Sequence, residues 1–211
     1  MLRGVPNAFS VTLLSLFPIM NPIGNLPAFF ALTTGDSPAR RRAQALRTAG
    51  WVVGLLVVFT VLGKELLHGL GVSLPALQIA GGLVVARSAY AMVTNGPRLT
   101  EAEHGAGMAA ADISFSPMAM PLLAGPGAIG TVIALASRSD GAPAIFGIVL
   151  GSVAMGVVVA LILITGDPLL SRLGVTGIAA LTRIFGFLIL AIAVELIAHG
   201  VLSLAPGLLR S

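Results

Sequence analysis

Apolar residues gather into six long runs along the chain instead of alternating with polar ones. The runs cover about Asn7–Thr33, Ala49–Leu67, Leu74–Val93, Phe115–Ala136, Ala142–Thr165 and Ile178–Val201. Each is close to the ~20 residues that carry a helix across the ~30 Å hydrocarbon layer. None shows the period of two that marks a strand, and only helices and closed barrels satisfy their own backbone in lipid. The pattern predicts an all-α membrane protein with six transmembrane helices in one transmembrane domain, 1–211. The segments between the runs are polar. Gly35 to Arg47 holds Asp36, Ser37, Pro38 and an arginine cluster, Asn95 to Asp112 holds Arg98, Glu101, Glu103 and His104, and Arg138-Ser-Asp-Gly141 is a short turn. Asp167, Pro168, Arg172 and Gly174 mark the last connection. The first run continues past Pro22 without a small-x-small cleavage site, so it reads as a retained span and not a signal peptide.

Composition agrees. Of the 211 residues 56% are apolar and 9% charged, against roughly 25% charged in a soluble domain, which excludes a soluble fold. With no cysteine, disulfide scaffolds, thiolate metal sites and cysteine nucleophiles are excluded as well. A net charge of +4 would suggest nucleic acid in a soluble protein, but here it reflects loop arginines that set topology, and no nucleic-acid partner is expected. With the first loop inside, seven Lys/Arg fall inside (Arg40, Arg41, Arg42, Arg47, Arg98, Arg172, Arg183) against four outside (Arg3, Lys64, Arg138, Arg210). Both termini are therefore predicted outside, which is the periplasm in a bacterium.

The two halves resemble each other at an offset of 103–104 residues. Leu70-Gly-Val-Ser73 matches Leu173-Gly-Val-Thr176, Leu77 matches Leu181 and Gly82 matches Gly186. Pro18 and Gly24 match Pro121 and Gly127. The predicted repeats are about 1–95 and 113–211, joined by a loop at about 96–112. Three spans per repeat would insert the second half upside down, the inverted-repeat arrangement of secondary transporters.

Spans one and four are interrupted near their middles. Pro18-Ile-Met-Asn21-Pro22-Ile-Gly24-Asn25-Leu-Pro27 lies in the first, and Pro117, Pro121 and Ala124-Gly125-Pro126-Gly127 in the fourth. Proline removes a donor and clashes with the preceding turn, so such clusters break a helix. Broken backbone at membrane depth is tolerated where it lines a polar cavity. Pro22 and Pro126 suit the first position of a restarted half-helix, with Asn21 and Gly125 as its caps. Helix N-termini attract a carboxylate, and freed carbonyls accept from an ammonium. The candidate substrate-binding residues are therefore Asn21, Pro22, Gly24, Asn25, Ala124, Gly125, Pro126 and Gly127.

Asn21-Pro-Ile-Gly-Asn-Leu-Pro-Ala-Phe29, Pro117-Met-Ala-Met-Pro-Leu-Leu-Ala-Gly-Pro-Gly-Ala-Ile129 and Thr182-Arg-Ile-Phe-Gly186 resemble the MarC-related integral membrane proteins over nearly the whole chain. The resemblance implies an inner-membrane location, six spans and, from some members, transport of small neutral amino acids of the glycine and alanine class.

Ionisable residues in spans are functional candidates by default. Glu195, Lys64 and Arg87 are candidates for ion coupling or for pairing between helices. Depth along the helices favours Lys64–Glu195 over Arg87–Glu195 and directs Arg87 toward Asp112 or Asp167. Gln78, Ser114, Ser116, Thr131 and Thr182 are candidates to line a polar path. Gly147-Ile-Val-Leu-Gly151 is a GxxxG packing face that fits a homo-oligomer. His68, His104 and His199 are scattered, and no HExxH, GxSxG or P-loop occurs, so no catalytic site, metal or cofactor is expected. The sequence thus favours a secondary transporter of small neutral amino acids whose halves rock around a midplane site, with solute and lipid as partners. The alternatives are a passive channel or exporter for another small solute, a membrane-embedded enzyme, and a non-transporting assembly partner.

Overall fold

The computed structural model describes residues 4–95, 112–139 and 141–208. Arg98, Glu101, Glu103 and His104 of the central loop lie outside the described residues, as do Arg3, Asp140 and Arg210. The described chain is helical throughout: α1 (Val5–Met20), α2 (Leu26–Leu32), α3 (Pro38–Gly69), α4 (Leu74–Asn95), the π-helical α5 (Ser114–Leu123), α6 (Pro126–Ser137) and α7 (Ala142–Leu208). Helix α7 is divided at Gly174, whose φ of 62° no helix interior accepts. Among the described residues four helical segments are long and apolar enough to cross a membrane: α3, α4, and the two parts of α7, Ala142–Gly174 and Thr176–Leu204. A fifth crossing is available if α5 and α6, bent by 64° at their junction, count as one. The expected first span is divided into α1, of 16 residues, and α2, of seven.

Helix α3 starts as sequence signals dictate. Ser37 is extended and its side chain accepts from the Arg40 N–H at 3.3 Å, with Pro38 in the first helical position. Small residues then set how closely the helices approach. A Cβ at Gly147 would fall 2.6 Å from the Val5 carbonyl oxygen, and one at Gly151 3.0 Å from that of Phe9. The GxxxG face expected to serve an oligomer is thus occupied by α1 of the same chain, because an apolar surface this flat is first filled by the neighbouring helix. Gly156 lies against Val53 of α3. Gly82 of α4 abuts the Ala193 carbonyl, where a Cβ would sit at 3.0 Å, and Gly186 abuts the Ala89 carbonyl, at 3.1 Å. The main core cluster joins Leu16, Met20, Leu26, Phe29, Leu123 and Leu163, all buried.

Ion pairs show which helix ends lie together. Arg47 of α3 meets Asp112, just before α5, at 2.8 Å, and Arg41 meets Asp167 of α7 at 3.6 Å. The Arg41 guanidinium also stands over the Phe30 ring, 5.1 Å from its centroid. The first loop, the entry to α5 and the middle of α7 are therefore on one side, and Arg138, at the end of α6, is on the other.

Candidate functional site

Helix α1 contains Pro18 and closes at Asn21, which sits in the left-handed region at φ 41° with its N–H bonded to the Phe17 carbonyl at 3.1 Å. Asparagine tolerates this conformation better than other side-chain-bearing residues. Its Oδ1 accepts from the Gly24 N–H at 3.2 Å. Asn25 Nδ2 donates to the carbonyls of Met20 at 3.0 Å and Asn21 at 3.2 Å. The two amides thus satisfy the backbone that the break would leave bare. The expected cap roles change accordingly. Asn21 ends the first half-helix instead of starting the second, which begins at Leu26 with Asn25 as N-cap and Pro27 in its first turn. The left-handed turn at Asn21 diverts the chain too far for Pro22 to resume the helix. Carbonyls expected to be available to an ammonium already accept from Asn25.

The second break matches expectation more closely. Ser116 and Met120 are extended, with φ near −125° and ψ near 121–126°, as residues before proline prefer. Helix α5 ends at Ala124, Gly125 is the extended N-cap of α6, and Pro126 opens it. A Cβ on Gly125 would collide with the Pro121 carbonyl oxygen, so only glycine admits the 64° turn. Asn21, Pro22, Gly24, Ala124, Gly125 and Gly127 are buried, Asn25 is half-buried and Pro126 is exposed. Gly127 faces Val85 and Ile19, so the first turn of α6 packs on the last turn of α1 and on α4. Met20 and Leu26, which flank the first break, and Leu123 and Ala124, which enter the second, belong to one buried cluster.

The ionisable candidates are not gathered there. Glu195 Oε1 meets His199 Nε2 at 3.0 Å, one turn away on the same helix, and not Lys64. Glu195, Lys64 and Arg87 are exposed. Arg41 and Arg47 take Asp167 and Asp112, the partners expected for Arg87, because the first turns of α3 reach them first. Asp112 also accepts from the Ser114 N–H at 2.9 Å. Its pKa is lowered from 3.8, first by the Ser114 side-chain and backbone hydrogen bonds, against an opposing effect of partial burial, with smaller contributions from Arg47. Among the polar-path candidates, Gln78 of α4 and Thr131 of α6 line one cavity. Arg138 and Ser15, which the same cavity includes, carry no spacing signal that would single them out in the sequence.

The family model for MarC family integral membrane proteins matches residues 6–205. The chain is similar to UPF0056 membrane protein YvbG of Bacillus subtilis, with 32% identity over 92% of this chain and 94% of the relative. It is 33% identical to UPF0056 membrane protein MJ1677 of Methanocaldococcus jannaschii, over 92% of this chain and 95% of the relative. It is 30% identical to UPF0056 inner membrane protein MarC of Escherichia coli, over 93% and 95%. No solved structure matches it. A helical chain with two broken apolar segments, matched along nearly its full length by one family, belongs to the MarC family of integral membrane proteins.

Proposed function

We propose that this chain is a secondary transporter of small neutral amino acids, of the glycine and alanine class, in the inner membrane, with six spans arranged as two inverted repeats. The observation that carries the reading is the pair of buried helix breaks at matching places in the two halves, Asn21–Asn25 and Ala124–Gly127. A static membrane helix gains nothing from such breaks, whereas a solute that must shed water needs backbone groups and amides at midplane depth. The solute ammonium would compete with Asn25 for the Met20 and Asn21 carbonyls, while the N-terminus of α6 at Gly125–Gly127 offers N–H groups to its carboxylate.

Reciprocal contacts support the repeat. Gly82 on the Ala193 carbonyl and Gly186 on the Ala89 carbonyl are one contact made twice, since both residues of each pair are related by 104 positions. A two-fold axis generates such pairs. Val53 and Gly156, 103 positions apart, touch each other, as mates beside such an axis do. Alternating access then means that one repeat rocks on the other. The Arg41–Asp167 and Arg47–Asp112 pairs close the first-loop side in this state and would part in the opposite one.

The deciding experiment is counterflow. Purified protein in liposomes loaded with unlabelled glycine should accumulate labelled glycine transiently and saturably. Uptake that equilibrates without overshoot and does not saturate would make the protein a channel.

A further inference from the structure

A cavity of about 130 Å³ lies between α1, α4, α6 and the second part of α7, on the Arg138 side of the bundle. Its size exceeds the roughly 10–15 Å³ that one water requires and falls below the ~300–1,000 Å³ of a drug-sized pocket, so it suits a solute of a few heavy atoms. Its walls are largely apolar, with Ile19 and Ile192 among them, and its polar groups are few. Gln78 is one of them. It is 4% exposed, and its Nε2 has no hydrogen-bond partner among the described residues. A buried amide donor left unpaired is costly and calls for an explanation. Arg138 stands at the exposed end of the same cavity as a second, charged donor. Thr131 is the opposite pole. Its hydroxyl already donates to the Gly127 carbonyl at 2.8 Å, so toward the cavity it can only accept.

We infer that this cavity is a binding site for a small zwitterion, with Gln78 Nε2 and Arg138 donating to its carboxylate and Thr131 Oγ1 accepting from its ammonium. Ser15 lines the same space, and the apolar walls leave room for a hydrogen or methyl side chain. The site rests on the small-solute reading of the function but lies outside both helix breaks. Thr131 and Ile19 nevertheless connect it to the second break, because Ile19 packs on Gly127 and Thr131 bonds to it. Solute entering from the Arg138 side would be held here before it reaches the Gly127 backbone.

The test is equilibrium binding to purified protein, with glycine, L-alanine, acetate and glycinamide as probes. Glycine, alanine and, more weakly, acetate should bind, and glycinamide, which lacks the carboxylate, should not. Gln78→Met should lower glycine affinity about tenfold or more, the value of one hydrogen bond to a charged group, while the ligand-free protein melts no lower than the parent. Arg138→Gln should weaken binding and flatten its salt dependence. Because the chain has no cysteine, alkylation of Ser15→Cys reports the location directly, and glycine should slow it. Parent-like affinity in both Gln78→Met and Arg138→Gln would overturn the site. If Gly127→Leu alone abolished binding in that series, the solute would sit at the break and the transport reading would survive. A parent that binds neither glycine nor acetate would also overturn the site. Binding that follows these predictions without counterflow would leave the site standing and remove the transport reading.

Discussion

Gln78 and Thr182 are 104 residues apart, the offset that also relates Leu77 to Leu181, and both are buried with a polar side-chain atom that has no partner among the described residues. Under the proposed inverted repeat the two would occupy equivalent places, one in each half. Gln78 meets a cavity in this state. Thr182 would meet the mirror cavity when the opposite side opens.

Thr182→Val isolates that role. The substitution removes an unpartnered buried hydroxyl, which costs a fold roughly 1–3 kcal/mol, so melting should hold or rise. Glycine binding from the Arg138 side should be unchanged, while counterflow slows severalfold because the state open to the first loop has lost a polar contact. Parent-like counterflow at equal protein would show that Thr182 is a packing residue.

The break at Asn21 separates two kinds of asparagine. At φ 41° Asn21 needs a residue that accepts the left-handed region, so Asn21→Gly should be tolerated and Asn21→Val should destabilise by a few kcal/mol. Asn25→Ala removes the donor to two carbonyls and should cost about 1–3 kcal/mol. Thermal melting of the three variants in one detergent gives the order, and an Asn21→Val protein as stable as Asn21→Gly would contradict the backbone argument.

Much of this fold is legible in the sequence because lipid makes the code simple. Long apolar runs and polar loops give the helices and their order, and proline clusters give both breaks. The details of a break are not legible, since Asn21 and Asn25 are equally plausible caps until the left-handed turn is known. Pairing is not legible for a similar reason. Depth along a helix restricts partners but does not say which side chain arrives first, so Glu195 met His199 on its own helix and Arg47 took Asp112. Arg138 reads in the sequence only as a turn residue and a topology charge, and Ser15 not as a site at all, because a cavity is a property of four helices and no single segment records it.

Glycines in the first part of α7 carry packing, and the variants differ by location. Gly151→Ala must push Thr12 or the Phe9 carbonyl of α1 and should lower the melting temperature. Gly54 lies exposed in the interior of α3 with nothing near its missing Cβ, so Gly54→Ala should stabilise by up to about 1 kcal/mol. Equal effects at the two positions would mean that α1 does not rest on Gly151.

Protonation of Asp112 should loosen the side closed by Arg47. Its folded pKa lies below 3.8, so its contribution to stability is fully present above that value and is lost as the pH falls through the folded pKa. Both partners are largely exposed, and their pair is worth no more than about 0.2–1 kcal/mol. Melting of parent and Asp112→Asn should therefore differ by a small constant amount from about pH 5 to 8 and converge under more acidic conditions. A difference that grows on acidification has the wrong sign and would sink the assignment.

Topology links all of these effects to the membrane. Arginines concentrate at Arg40, Arg41, Arg42 and Arg47, beside the start of α3, and such clusters stay on the cytoplasmic side. Ion pairs to Asp112 and Asp167 place the entry of α5 and the middle of α7 beside that cluster, so Arg138 and the mouth of the Gln78 cavity are expected to face outward. Single cysteines can report this without background, because the native chain has none. In intact cells an impermeant maleimide should label Ser139→Cys and spare Ser37→Cys, which becomes reactive only after the membrane is opened. Both positions lie at helix ends, and Ser37→Cys gives up the cap on the Arg40 N–H at a cost of about 0.5–2 kcal/mol. Labelling of Ser37→Cys from outside with Ser139→Cys protected would invert the protein, and the cavity would then receive its solute from the cytoplasm.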